Sequence, residues 1–177
     1  MICSWAAANI GVSLQKWFKQ VPAGGFVLNV RYPASKLRGM SVPAFSYNHT
    51  VTYSECTVGN HIYYARYLDL LEAARGEFFR QLGTPLLAWQ EQDVLFPVIE
   101  CRLRYKSPAR YDDVLTIQVW PTTVEKIRLN FAHRIFNQNG MLILEAETFH
   151  VCTGLNEKPK RLPIEWASKL NTWLPSQ

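Results

Sequence analysis

The first 54 residues contain no aspartate or glutamate. Their cations are Lys16, Lys19, Arg31, Lys36 and Arg38, so this stretch holds the whole formal charge of +5. Residues 55–177 carry 14 basic and 14 acidic residues and balance. The charge imbalance therefore belongs to one segment, which reads as a solvated basic leader before a nucleic-acid arm. Aromatics do not interleave with dense basic clusters, which speaks against an RNA-binding strip. No apolar run reaches the roughly 18 residues of a membrane span. No C-x-x-C pair links Cys3, Cys56, Cys101 and Cys152, which argues against a zinc knuckle or a redox dithiol. Cys101 and Cys152 fall in apolar, strand-like runs and are expected as buried thiols. With no basic stretch ahead of Lys16 to make a secretory signal, the expected compartment is a reducing cytoplasm. The acid-free start shares only faint features with an organelle transit peptide.

What is present suits one domain, since 177 residues with 48% hydrophobic content can bury a substantial core. Residues 1–40 read as a separate extension, with a short amphipathic helix over 5–19 and a strand in "FVLNVRY". Met40 is a natural alternative start. Residues 41–177 form the domain. "AFSYNHTVTY" (44–53) alternates as a first strand. Over 63–82, Tyr67, Leu70, Leu71, Ala74, Phe78 and Leu82 recur at helical spacing, with Leu68 and Phe79 widening the stripe. Gly83 and Pro85 stop that helix. Strand-like runs follow at 95–106, 114–124, 128–138 and 141–154. "SPARYDD" and "NQNG" supply turn chemistry, the second a hairpin signal. "PIEWASKLNTWL" closes as a short outer helix. One strand, one long apolar helix and four antiparallel strands joined by short turns predict an α+β fold, with an antiparallel sheet wrapped around a long central helix.

A second absence lies in the front turn. Between Tyr53 and Tyr63 the sole acid is Glu55, and the middle of the turn is Thr57. "YSECTVGNHIYYARYLDLLEAAR" resembles the front motif of the hotdog-fold acyl-CoA thioesterases of the 4-hydroxybenzoyl-CoA thioesterase type, including the Tol-Pal-associated branch. "RYKSPARYDD" and "ETFHVCTGLNEKPKRLP" resemble that family's later strand-turn-strand and tail. The likeness spans about residues 45–165. It implies a hotdog fold and acyl-CoA or acyl-carrier thioester hydrolysis. Coenzyme A is then part of the substrate, and no other cofactor or metal is implied. It also implies self-association into a dimer or tetramer, because a curled sheet of this size keeps open edges. The alternatives are a non-catalytic hotdog that binds acyl-CoA or scaffolds a complex, and a polyketide-type thioesterase.

In the family an aspartate stands where this chain has Thr57, and the start of the long helix gives an oxyanion-binding amide. That amide is here Tyr64. The family glycine falls at Asn60 with Gly59 displaced by one, and the family asparagine is Arg66. A neutral threonine cannot serve as a general base at neutral pH. Thr57 either holds a water or acts as nucleophile with His61, four residues on, as base. Cys56 takes the family's threonine position and is expected as a small packed side chain. Glu72 is the alternative acid, expected at the edge of the apolar stripe where burial raises its pKa, or else paired with Arg75. Arg66 has three readings: oxyanion donor, phosphate contact or solvated charge. Arg104, Lys106 and Arg110 are implied contacts to the phosphates of coenzyme A, with Lys158, Lys160 and Arg161 a second basic cluster. Asp113 is expected to be structural. His133 and His150 lie in strands as packed or satisfied residues.

Overall fold

The computed structural model describes residues 44–175. The extension over 1–40, with the helix and strand expected in it, and Met40 lie outside them. The described chain forms five strands and three helices. The strands are β1 (Phe45–Thr50), β2 (Val98–Tyr105), β3 (Val114–Val124), β4 (Arg128–Phe136) and β5 (Leu142–Val151). The helices are α1 (Arg66–Gln81), α2 (Leu86–Glu91) and α3 (Ile164–Asn171). All strand pairs are antiparallel, in the order β1-β3-β4-β5-β2.

Alternation on the central strands turns one face toward α1. Leu115, Ile117 and Val119 of β3 and Leu129, Phe131 and Ile135 of β4 are all at most 1% exposed. They meet Tyr67, Leu70, Leu71, Ala74, Phe78 and Phe79 of α1. The expected stripe is thus the buried face, with Leu68, 41% exposed, and the half-buried Leu82 as the exceptions. Helix α1 opens at Arg66 rather than residue 63, because Tyr64 and Ala65 form a turn ahead of it.

The β4–β5 link is the expected hairpin. Asn137 Oδ1 accepts the amides of Asn139 and Met141, and Gly140 takes φ 72°. "SPARYDD" is different. β2 and β3 are not neighbours, so this segment is a crossover between strands on opposite sides of the sheet rather than a hairpin turn. Sequence pattern showed the strands but not their order, since pairing is decided by long-range packing. Helix α2 was also not foreseen. It carries Trp89, buried, whose indole N–H donates to Thr84 O at 2.8 Å and whose ring lies 3.9 Å from Trp166 of α3. β2 is an edge strand, exposed or half-exposed throughout. Cys101 therefore sits exposed instead of buried, while Cys152 is buried as expected.

Candidate active site

The front turn is a tight loop closed on itself. Cys56 bridges Ile62, the Thr57 amide donates to His61 O at 2.9 Å, and the Asn60 amide donates to Thr57 O at 3.1 Å. Gly59 and Asn60 take φ 110° and 56° in succession. Glycine carries no Cβ penalty there, and asparagine tolerates the left-handed region. That pairing accounts for the displaced glycine. The turn's geometry brings the Thr57 hydroxyl to 2.9 Å from His61 Nδ1.

Glu55, the sole acid near the turn, is engaged elsewhere. It accepts the Thr52 amide at 2.6 Å and the Thr52 hydroxyl at 2.8 Å, and meets His49 Nε2 at 2.9 Å. Partial burial pushes its pKa up, but these donors outweigh it and hold the carboxyl below its ordinary value. It closes β1 and the following helical turn.

Beside the turn lies a cleft of about 470 Å³. Thr57, His61, Tyr63, Tyr64, Tyr105 and Lys106 are among the residues that line it. No carboxylate lines it among the described residues. Tyr63 and Tyr64 have ring centroids 4.6 Å apart, and the neighbouring Tyr64 hydroxyl raises the Tyr63 pKa. Burial raises that of Tyr67, whose ring meets Tyr105 edge-on at 5.5 Å. The Tyr64 amide has no acceptor among the described residues. It stands just before α1, at the positive end of the helix dipole.

The structure thus brings Thr57, His61, Tyr64 and Lys106 to the cleft, whereas Arg66, Glu72, Arg104 and Arg110 do not line it. Arg66 is exposed and paired with Asp69 at 3.1 Å in its own first turn. Glu72 is exposed, not buried, and lies six residues into α1, roughly 9 Å along the axis from Arg66. Its outward face follows from the phase of the stripe, which places Leu71 and Ala74 inside. Arg104 lies on β2 opposite Glu145. Lys106 itself pairs with Glu145 at 3.2 Å. Arg110 directs Nη1 to the carbonyls of Gly59 and Asn60, each at 3.5 Å. Asp113 is structural: its carboxylate accepts the Arg110 amide at 2.7 Å and Gln138 Nε2 at 2.9 Å. Lys160 ties down Asp93 at 2.9 Å.

Neither strand histidine lines the cleft. His150 meets Phe96 O and Thr148 Oγ1 and is satisfied. His133 is 1% exposed with neither ring nitrogen partnered, so it is packed but not satisfied. Burial first, and the Arg75 cation second, lower the pKa of His133 to about 3 and that of His150 to about 4. Sequence reasoning missed Tyr105 and Ser107 as cleft residues. Both stand inside "RYKSPAR", a string noticed only for its charges.

A curled antiparallel sheet around one helix, with a polar turn at the helix start, defines a thioesterase-type hotdog domain. The thioesterase-like superfamily pattern matches residues 51–174, and the chain belongs to that family. It is 34% identical over 125 residues to the acyl-CoA thioester hydrolase YbgC of Escherichia coli O6:H1, covering 70% of this chain and 93% of the relative. It is 25% identical over 135 residues to the 1,4-dihydroxy-2-naphthoyl-CoA hydrolase of Thermosynechococcus vestitus, covering 76% and 90%. Among solved structures, a hypothetical protein of Thermus thermophilus superposes with TM-score 0.68 at 27% identity, covering 72% of this chain and 98% of the other.

Proposed function

We propose that this chain hydrolyses acyl-CoA thioesters, with Thr57 and His61 acting where relatives use a carboxylate. The observation that carries this is the 2.9 Å contact between Thr57 Oγ1 and His61 Nδ1 on the wall of the cleft. With the imidazole proton on Nε2, the hydroxyl donates to Nδ1, which is the nucleophile–base arrangement of covalent catalysis. Thr57 Oγ1 attacks the thioester carbonyl carbon as its proton passes to His61. The Tyr64 amide holds the oxyanion that forms. Collapse breaks the carbon–sulfur bond, and the leaving thiolate takes the proton from the imidazolium. A water, deprotonated by the same imidazole, then cleaves the threonyl ester and restores Thr57. Lys106 at the cleft and Arg104, two residues earlier on β2, suit the phosphates of coenzyme A.

One observation favours a second reading, an acyl-CoA-binding protein without turnover: no carboxylate lines the cleft among the described residues. Free-thiol release from short, long and aromatic acyl-CoAs separates the two. Turnover lost at least about 100-fold in Thr57→Ala and in His61→Ala, with an acyl adduct trapped on the intact protein, supports hydrolysis by the pair. Wild type that binds acyl-CoA yet releases no thiol, while Thr57→Asp does, establishes binding alone.

The same reading includes self-association through the β2 edge. Val98, Ile99 and Cys101 stand exposed on it, Ile99 at 63%, and unpaired edges template pairing with another copy. A cytoplasmic setting suits the exposed free thiol of Cys101. No described helix is long and apolar enough to cross a membrane.

A further inference from the structure

The crossover between β2 and β3 touches both halves of the candidate site. At its start, the Tyr105 hydroxyl donates to Tyr64 O at 3.0 Å, 41 residues away in sequence. In its middle, the Ala109 amide donates to the Tyr67 hydroxyl at 3.3 Å, and Ala109 O accepts the Ile62 amide at 2.9 Å. At its end, the Tyr111 amide donates to Asn60 Oδ1 at 3.3 Å, and Arg110 reaches the Gly59 and Asn60 carbonyls. The Asp112 amide then fastens to Val51 O at 3.0 Å. Ala109 is fully buried, so the strap cannot lift without opening the core.

These contacts share a geometric consequence. The turn that bears Thr57 and His61 is held at Gly59, Asn60 and Ile62. The peptide that bears the Tyr64 carbonyl, also beside the cleft, is held by Tyr105. One continuous segment therefore spans the nucleophile side and the oxyanion side. We propose that Tyr105–Tyr111 is a positioning strap that sets the spacing of the two sides, with Tyr105 and Arg110 as its positioning residues. Tyr105 fixes the conformation of the residue whose amide faces the acyl oxygen. Arg110 braces the turn carbonyls rather than a phosphate. The proposal deepens the hydrolase reading above and rests on it for its kinetic test.

Tyr105→Phe keeps the ring, its packing on Tyr67 and the fold, and removes the one hydroxyl. The expected result is kcat lowered about tenfold with KM unchanged, since the bond matters when the oxyanion forms. For Arg110→Met, the substrates are an acyl-CoA and the matching acyl-pantetheine, which lacks the nucleotide phosphates. The strap predicts an equal fall in kcat on both. A rise in KM confined to the CoA ester makes Arg110 a phosphate contact and overturns its assigned role. Wild type that turns over normally beside an equally active Tyr105→Phe overturns the strap, whereas an inactive wild type removes only the hydrolase reading. In either case amide hydrogen exchange decides independently of turnover. Exchange at Ile62 and Arg66, whose amides donate to Ala109 O and Tyr63 O, each at 2.9 Å, quickens several-fold in Tyr105→Phe if the strap holds, and an unchanged pattern sinks it.

Discussion

The two ends of α1 are built from the same kind of residue and serve opposite purposes. At the C-terminal end, Phe78 and Phe79 are at most 1% exposed and meet Phe131 edge-on at 6.2 and 5.8 Å. Trp89 closes on Phe79 at 5.0 Å. At the N-terminal end, Tyr63 and Tyr64 are 45% and 62% exposed, and Tyr105 is 49% exposed. One end is a dry aromatic cluster, whose burial drives folding. The other keeps hydroxylated rings around an open cleft, where burial is given up for access. The dry cluster and the candidate cleft thus lie at opposite ends of one helix.

The sharpest way to break the stable end is Phe79→Ala. Removing a fully buried ring should cost about 3–5 kcal/mol, read as a fall in the urea midpoint. A loss under about 1 kcal/mol means that the ring is not part of the core. Acid acts on the same interior. His133 and His150 are held neutral in the fold, with pKa values of about 3 and 4, against an ordinary value of 6.5. As pH drops below 6.5 the unfolded chain binds protons that the fold refuses. Stability is then lost on the way down toward about 4 for His150 and about 3 for His133, approaching roughly 1 kcal/mol per pH unit for each. Chemical denaturation at stepped pH checks this. His133→Leu should flatten the slope, and an unchanged slope in that variant removes His133 from the account.

At the cleft end the expected stability effects shrink. A Cβ at Gly59 meets nothing closer than His61 Cε1 at 3.6 Å, so Gly59→Ala suffers from its φ of 110° alone. It should lose about 1–2 kcal/mol and more activity than stability, because the turn carries Thr57. Equal losses in both would show that the turn serves only to fold. The smallest effect is expected for Arg66→Ala. Its pair with Asp69 is exposed, so stability should change by under about 0.5 kcal/mol. A raised KM for CoA esters in this variant would restore Arg66 as a phosphate contact.

Much of this comparison is legible in the sequence alone. The i, i+3, i+4 spacing from Tyr67 to Phe78 marked the buried face of α1, because helical phase is a local property. "NQNG" marked its hairpin for the same reason. Thr57 and His61 were a legible pair, since four residues across a turn with Gly59 can close on themselves. Glu72 was misplaced because the stripe's edge in sequence does not say which side another element covers. Cys101 was misplaced because an apolar strand pattern cannot distinguish a central strand from an edge.

The sequence by itself determined the five strands, the long helix and its apolar face, the missing turn acid and the family, all properties written in local spacing and composition. Only the tertiary structure decided the strand order, and with it the path of residues 105–111 beside the cleft. That path puts Tyr105 on Tyr64 and Arg110 on the Thr57 turn. The physical reason is that hydrogen bonds between residues some 40–50 positions apart have no signature in either segment. They exist only once the sheet has curled around the helix and brought the two segments together.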